Sequence, residues 1–444
     1  MKKISILLCF ILCLCAVAPL SGCDAKQDAL VYFLNFKPEA ARVYQSIAAD
    51  YEKETGIPVK VVTAAANTYE QTLKREIAKS GAPTIFQING PIGYNSWKDY
   101  CADLKNTDLY TLLSDKSLAI TDGQGVYGIP YVVEGYGIIY NDAIMKKYFA
   151  LPDKKVNISS AQEINSFEKL KAVVEDMTAK KDALGIKGVF ASTSLTGGED
   201  WRWQTHLANL PLYYEFRENK DYTDPTLAGL NTDDIDFKYA ENFKNLFDLY
   251  INNSITEKGL LGSKSVADSM AEFALSQVAM VQNGTWAWAQ IADVKGNTVK
   301  SEDIKFLPLY TGMENEEKQG ICIGTENYLA INAKASEEAK KQSLDFLYWL
   351  FSSETGKKYV SKELGFLTPF NSFSEDEQPE DPLGRDMVRW MNKGDITTVP
   401  WIFTSFPGES FKNTFGSALL EYAQGTKDFA AVKDTVKKSW KQER

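Results

Sequence analysis

Histidine is almost missing from this 444-residue chain, which carries His206 alone. A zinc site or a histidine-assisted nucleophile needs clustered imidazoles, so neither is expected, and His206 reads as a packed or hydrogen-bonded side chain. Cysteine is scarce where it would matter. Of six, Cys9, Cys13, Cys15 and Cys23 lie at the N-terminal end, which leaves Cys101 and Cys322 for the folded body, as one disulfide or as two buried thiols. Neither G-x-x-x-x-G-K-[ST] nor a G-x-G-x-x-G between strand and helix occurs, so no phosphate cradle, cofactor or metal is expected. Basic charge is in deficit: the net charge is −10, and −12 without residues 1–22, which hold Lys2 and Lys3. A nucleic-acid partner is therefore not expected. The apolar run Ile4 to Val17 is too short for an ordinary membrane span.

That run follows Met1-Lys2-Lys3 and reads as a secretory signal outside the fold. Its end, Leu20-Ser21-Gly22-Cys23, resembles a bacterial lipoprotein box. The resemblance implies cleavage after residue 22, a lipidated (palmitate-type) Cys23, and a short tether over residues 23–29. The acyl chains would hold the protein at the extracytoplasmic face of the cell membrane.

The remaining length exceeds what one hydrophobic core usually serves, so two domains are expected. Leu30 to Phe36 reads as a strand, and Val43, Ile47 and Tyr51 mark a helix stopped by Gly56 and Pro58. Val59 to Val62 is the next strand, Thr68 and Gln71 offer a capping box for a second helix to about Ser80, and Thr84 to Ile88 is a third strand. This alternation predicts parallel βαβ units. In such sheets ligands gather outside the carboxyl ends of the strands, so Asn35 to Pro38, Ala66 to Tyr69 and Asn89 to Tyr94 should converge.

Tyr127 to Asn141 is rich in β-branched and aromatic residues but broken by Gly128, Pro130, Gly135 and Gly137. It reads as extended chain that bends between two bodies. Its one carboxylate, Glu134, must be hydrogen-bonded or face a cleft or water. Further on, helices are expected over Ser166 to Ala179, Phe237 to Tyr250 and Glu337 to Phe351, with strands at Val278 to Gln282, Ile304 to Leu309 and Tyr328 to Asn332. The acidic stretch Ser374 to Asp381 and the lysine-bearing C-terminal helix read as solvated surface.

Aromatic residues are abundant: nine Trp, 22 Tyr and 23 Phe. Trp201, Trp203, Trp286 and Trp401 stand in loops or at helix starts, where each is either a stacking platform or a partly buried ring, whereas Trp288 is assigned to the core. A sugar offers a C–H face that stacks on indole and hydroxyls that need polar partners.

With these features in view, including Val281-Gln282-Asn283-Gly284-Thr285-Trp286-Ala287-Trp288 and the Val-Glu-x-x-x-Ile-Tyr-Asn pattern at the crossing, the chain resembles the extracellular solute-binding proteins (family 1, maltose-binding-protein-like) of carbohydrate ABC transporters. The resemblance implies an α/β, periplasmic-binding-protein-like fold of two α/β lobes joined by hinge segments, with the ligand cleft between them. The implied lobes are 28–133 plus 304–364 and 138–303 plus 365–444, with Ser301 to Lys305 and Gly365 to Pro369 as further hinges. It implies a monomer, not an enzyme, that captures a mono- or oligosaccharide by lobe closure and delivers it to ABC permease subunits. Two alternatives stay open: a non-sugar solute on the same fold, or a secreted lipid-anchored glycoside hydrolase using two carboxylates.

By position, Glu134 would be the hinge acid and Trp286 the stacking platform. Asn35, Lys37, Asn67, Tyr69 and Asn89 would supply contacts from the first-lobe loops, Tyr136, Trp201, Trp203, Asn283 and Trp401 from the second, and Glu326 from the loop before the Tyr328 strand. Phe36 stands where a smaller residue is common, and no aspartate precedes Lys37 as in maltose binders.

Overall fold

A computed structural model describes residues 30–65 and 68–444. Cys23 and Asn67 therefore lie outside the described residues. Twelve strands form two mixed sheets. In chain order they are β1 (Val31–Asn35), β2 (Val59–Thr63), β3 (Ile85–Asn89), β4 (Ile120–Asp122), β5 (Gly125–Pro130), β6 (Glu134–Asn141), β7 (Gly188–Phe190), β8 (Val278–Gly284), β9 (Ile304–Leu307), β10 (Gln319–Gly324), β11 (Asn327–Ile331) and β12 (Thr397–Pro400).

The first sheet runs β2-β1-β3-β11-β5-β4. Its β1 is parallel to both β2 and β3, as the strand–helix alternation predicts, while β11 inserts antiparallel between β3 and β5. The connecting helices are amphipathic for simple reasons. Ala41–Thr55 buries Tyr44, Ile47, Ala48 and Tyr51 on one face and stops at Gly56, whose φ of 75° suits glycine. Tyr69–Ile77 starts where expected, but Thr68 makes no capping-box bond.

The second sheet runs β12-β10-β6-β8-β7. Its axis is β6, whose eight residues are all buried. It is flanked along one side by β8 and along the other by β10 and β9 in succession. Buried apolar clusters cover both faces of each sheet, with Trp440, Phe411 and Phe415 from the C-terminal helices closing one face of the second. The C-terminal helix has a solvated face with Lys438 and Lys441, the latter paired with Asp234, and a second face on which Val432, Val436 and Trp440 are buried.

The chain passes between the sheets three times, at 131–133, at 325–326 and after Glu377. The first passage falls inside the glycine-broken stretch. The other two correct the expected boundaries. Ile304–Leu307 does not open the first lobe, because it pairs with β6. Gly365 to Pro369 does not leave it: Leu367 bonds the passage residue Val133, but the Ser114 N–H then bonds the Pro369 carbonyl at 2.9 Å, and Phe366 and Phe370 pack in the first-sheet core. Both follow from strand pairing, which spacing along the chain does not display. The acidic segment is tied down as well, by Lys357 to Glu377 at 2.8 Å.

Cys101 and Cys322 are two buried free thiols in different sheets, and burial pushes both up to about 12. Among the described residues, no helix is long and apolar enough to cross a membrane.

Gly137 sits where β6 and β9 meet most closely: a Cβ there would overlap the Leu307 carbonyl oxygen. Backbone cannot move aside as a side chain can, so Gly137→Ala is expected to destabilise the second sheet by about 1–3 kcal/mol. Thermal unfolding should show a fall of several degrees in Tm; an unchanged Tm would mean that β9 is not packed as described.

Candidate functional site

Strand register builds the site. Pairing of Gly284 with Tyr136 and of Gly324 with Glu134 places the ends of β8 and β10 on either side of the start of β6. Residues just beyond those ends, Trp286 and Glu326, therefore border Glu134. From the first lobe, β1 delivers Lys37. Its ammonium donates to both Glu134 oxygens, at 2.8 and 2.9 Å, and lies 3.8 Å from Glu39.

This pair bridges the lobes with both side chains about 5% exposed. Burial works against the Lys37 charge, but Glu134 and Glu39 outweigh it and hold its pKa above the ordinary value. Burial raises Glu39, opposed by Lys37. Burial likewise raises Glu326, with Lys37 opposing and Glu134 adding to the rise. Lys412, on the second-lobe helix Glu409–Ala423, is lowered by burial against the pull of Glu326 and Glu70. The lobes also touch directly: Gly90 has φ +60°, and a Cβ there would stand 2.7 Å from the Thr404 Cβ.

Beside the Glu134 end of β6 lies an aromatic cluster. The half-buried Trp286 ring is 5.9 Å from Trp201, 5.5 Å from His206 and 6.3 Å from Trp401. His206 in turn stacks on Tyr136 at 4.1 Å with 6° between planes. Arg202–Leu207 is wound as a π-helix, so Trp201 and His206, five residues apart, share a face that an α-helix would separate. Burial, with Arg202 and Lys412 nearby, depresses the His206 pKa well below its ordinary value, so the ring is neutral. A cavity of 490 Å³ runs between the hinge residues Val132 to Glu134, the Trp286 turn, and Gly365, Phe366 and Asp381. That is a size suited to a small-molecule ligand, within the ~300–1,000 Å³ usual for such sites. A larger hollow of 620 Å³ by Tyr213, Tyr214 and Arg217 is made by the second lobe alone, so lobe movement leaves it unchanged.

Not every expected contact reaches the cleft. Asn35 is fully buried and spends its amide on the Lys37 carbonyl and N–H and on Thr63, shaping the loop that aims Lys37. The Tyr69 hydroxyl is used by the Gln87 N–H and the Leu34 carbonyl. Trp203 is fully buried between Phe247 and Tyr250, and Asn283 beside Met270. Tyr136 lies beneath the floor, its hydroxyl donating to the His206 carbonyl at 3.1 Å. Trp401 is 4% exposed and backs Trp286, while Trp288 does border the cavity. Lys412 and Glu39 complete the surroundings without a sequence expectation behind them, while His206 is packed as expected and Phe403 stands beside it in the aromatic wall around Trp401. Only Glu39 carried a signal, its spacing of two from Lys37.

The chain belongs to the bacterial extracellular solute-binding proteins, whose family model matches residues 46–383. Among solved structures, a chitin oligosaccharide binding protein is 19% identical with a TM-score of 0.67, covering 93% of this chain and 98% of its own. RafE in complex with raffinose is 19% identical with a TM-score of 0.69 over 93% and 99%. A sugar transporter from Bacillus licheniformis in complex with stachyose is 19% identical with a TM-score of 0.65 over 93% and 100%. These likenesses establish the α/β solute-binding fold. No curated protein sequence matches the chain.

Removing Lys37 would leave Glu134 buried without a counter-ion, so Lys37→Met is expected to cost about 3–5 kcal/mol unless the lobes part to rehydrate it. Lys37→Met with Glu134→Leu should recover most of that in urea unfolding; a double variant as unstable as the single one would contradict the pairing. Asp200, 1% exposed, is raised to about 6 by burial. Folded protein thus holds a proton that the unfolded chain has released between pH about 4 and 6, and stability falls by about 2–3 kcal/mol as pH rises through that window. Asp200→Asn should flatten this slope in denaturation at pH 4 and 7; an unaltered slope would assign it elsewhere.

Proposed function

We propose that this protein is the sugar-capturing component of an ABC importer: it takes up a mono- or oligosaccharide outside the cytoplasm and passes it to the permease subunits. The observation that carries this reading is the half-buried Trp286 ring, backed by Trp201, His206 and Trp401, lining one cavity with Glu134, whose ion pair with Lys37 joins the lobes. Indole receives the C–H face of a sugar ring, and the ion pair meets its hydroxyls with donors and acceptors together. The ligands of two structural neighbours, raffinose and stachyose, support the same class.

Capture works by lobe closure. A ligand touching both lobes makes more contacts in the closed form and shifts the equilibrium toward it. No bond of the sugar is broken, and the carboxylates act as hydrogen-bond acceptors. Trp286 stacks, Glu134 and Lys37 bind hydroxyls, and Glu326 and Asn89 border the remaining edge. Lipidated Cys23 keeps the protein beside its permease, and the protein acts as a monomer.

Screening oligosaccharides by thermal shift tests this, since a ligand that binds only folded protein raises its Tm. At least one should raise it, and Trp286→Ala should weaken that binding well over tenfold by calorimetry while the variant still folds. Unchanged affinity would remove Trp286 from the site, and turnover of any sugar would replace capture by hydrolysis.

A further inference from the structure

The polar rim of the cleft is unbalanced in two ways. Glu39, Glu70, Glu134 and Glu326 face two ammonium groups, Lys37 and Lys412, with the exposed Glu409 adding to the negative side. Lys37 is committed to Glu134 at 2.8 Å, and Glu70 accepts from the Trp97 indole at 2.9 Å. Unpartnered acceptors also gather at the β3–β11 edge. Asn327, 1% exposed, donates its amide N–H to Glu326 Oε1 at 3.3 Å, while its Oδ1 is buried with no partner among the described residues. This orientation is the one an ionised Glu326 favours, since turning the amide over would set oxygen against oxygen.

Asn89 lies opposite Asn327 in the register of β3 and β11, and its Oδ1 is also buried without a partner among the described residues. The adjoining Thr325 hydroxyl likewise has none among them. These groups meet the second lobe where Gly90 approaches Thr404, so closure covers them. A buried acceptor left unmet costs about 1–3 kcal/mol, and a buried excess of negative charge costs more.

A neutral hydroxyl supplies one donor and leaves the charge imbalance untouched. A protonated amine supplies three donors, has no acceptor to satisfy, and offsets the charge. The aromatic faces of Trp286 and Trp201 attract the same cation. An anionic sugar, a uronate or phosphate ester, meets the opposite field.

We propose that the solute is an amino sugar whose protonated amine is held by Glu326 with the amide oxygens of Asn327 and Asn89 at the closed lobe boundary. This rests on the sugar-capture reading and names the substrate class within it. Burial already raises Glu39 and Glu326, so an incoming ammonium also stabilises their ionised forms.

Calorimetry of the purified protein at neutral pH with matched ligands tests the assignment. Glucosamine is paired with glucose, galactosamine with galactose, and the β-linked glucosamine disaccharide with cellobiose and with its N-acetylated form; spermidine is the sugar-free amine. The amine member of at least one pair should bind roughly tenfold or more tightly, the scale of a hydrogen-bonded charge. Glu326→Gln should bring that pair within about threefold of each other, and Asn89→Ala should narrow it, as expected for the loss of one charge-assisted contact.

Equal affinity for amine and neutral members overturns the amine assignment and leaves sugar capture standing. Binding of spermidine without any saccharide, or of no saccharide at all, overturns sugar capture and the amino-sugar class with it. A preference that survives both substitutions overturns the residues named.

Discussion

The contact between the lobes depends on one buried charge pair. Lys37 belongs to the loop after β1 in the first sheet and Glu134 begins β6 in the second, and their contact at 2.8 Å crosses the lobe boundary with both partners nearly out of water. Such a pair is strong only while both members stay together, because either one alone is a buried charge without compensation. Parting the lobes rehydrates both, so water competes with closure at this point. A ligand that bonds the same two groups while adding an aromatic contact tips the balance toward the closed form.

The surrounding structure can be understood as support for that contact. Asn35 folds the loop that holds the lysine backbone, Val133 is pinned by Leu367 one residue before Glu134, and β6 is buried along its whole length. The aromatic floor is similarly over-determined: the π-turn brings His206 beneath Tyr136, and Trp401 packs behind Trp286. Rigid support keeps the half-exposed indole oriented, so little ordering entropy is lost when a ring lands on it.

Much of the fold was legible because it rests on local periodicity. The βαβ opening, the helix over 337–352 and the bend within 127–141 all carry their signals in neighbouring residues. The companion crossings were not legible, since whether Ile304–Leu307 joins one sheet or the other is decided by its partner β6, far away in sequence. The site divides in the same way. Lys37, Glu134 and Trp286 are unusual in their own segments, a charge or an exposed indole amid apolar chain. Trp203 and Asn283 have polar neighbours in Arg202, Gln204 and Gln282 yet point into the core, because strand and helix phase, not composition, sets their direction. His206 reads from the sequence as a packed side chain, but its partnership with Trp201 needs a five-residue turn that helical spacing does not anticipate.

The central claim is that a saccharide bridges both lobes and holds them closed. Small-angle X-ray scattering of the purified protein, titrated with the saccharide that most raises its Tm, tests this most directly. The account predicts a smaller radius of gyration at saturation than in the free protein, and a change that is lost in Trp286→Ala at the same ligand concentration. A radius that stays constant through saturation, with binding verified calorimetrically in the same sample, would contradict it.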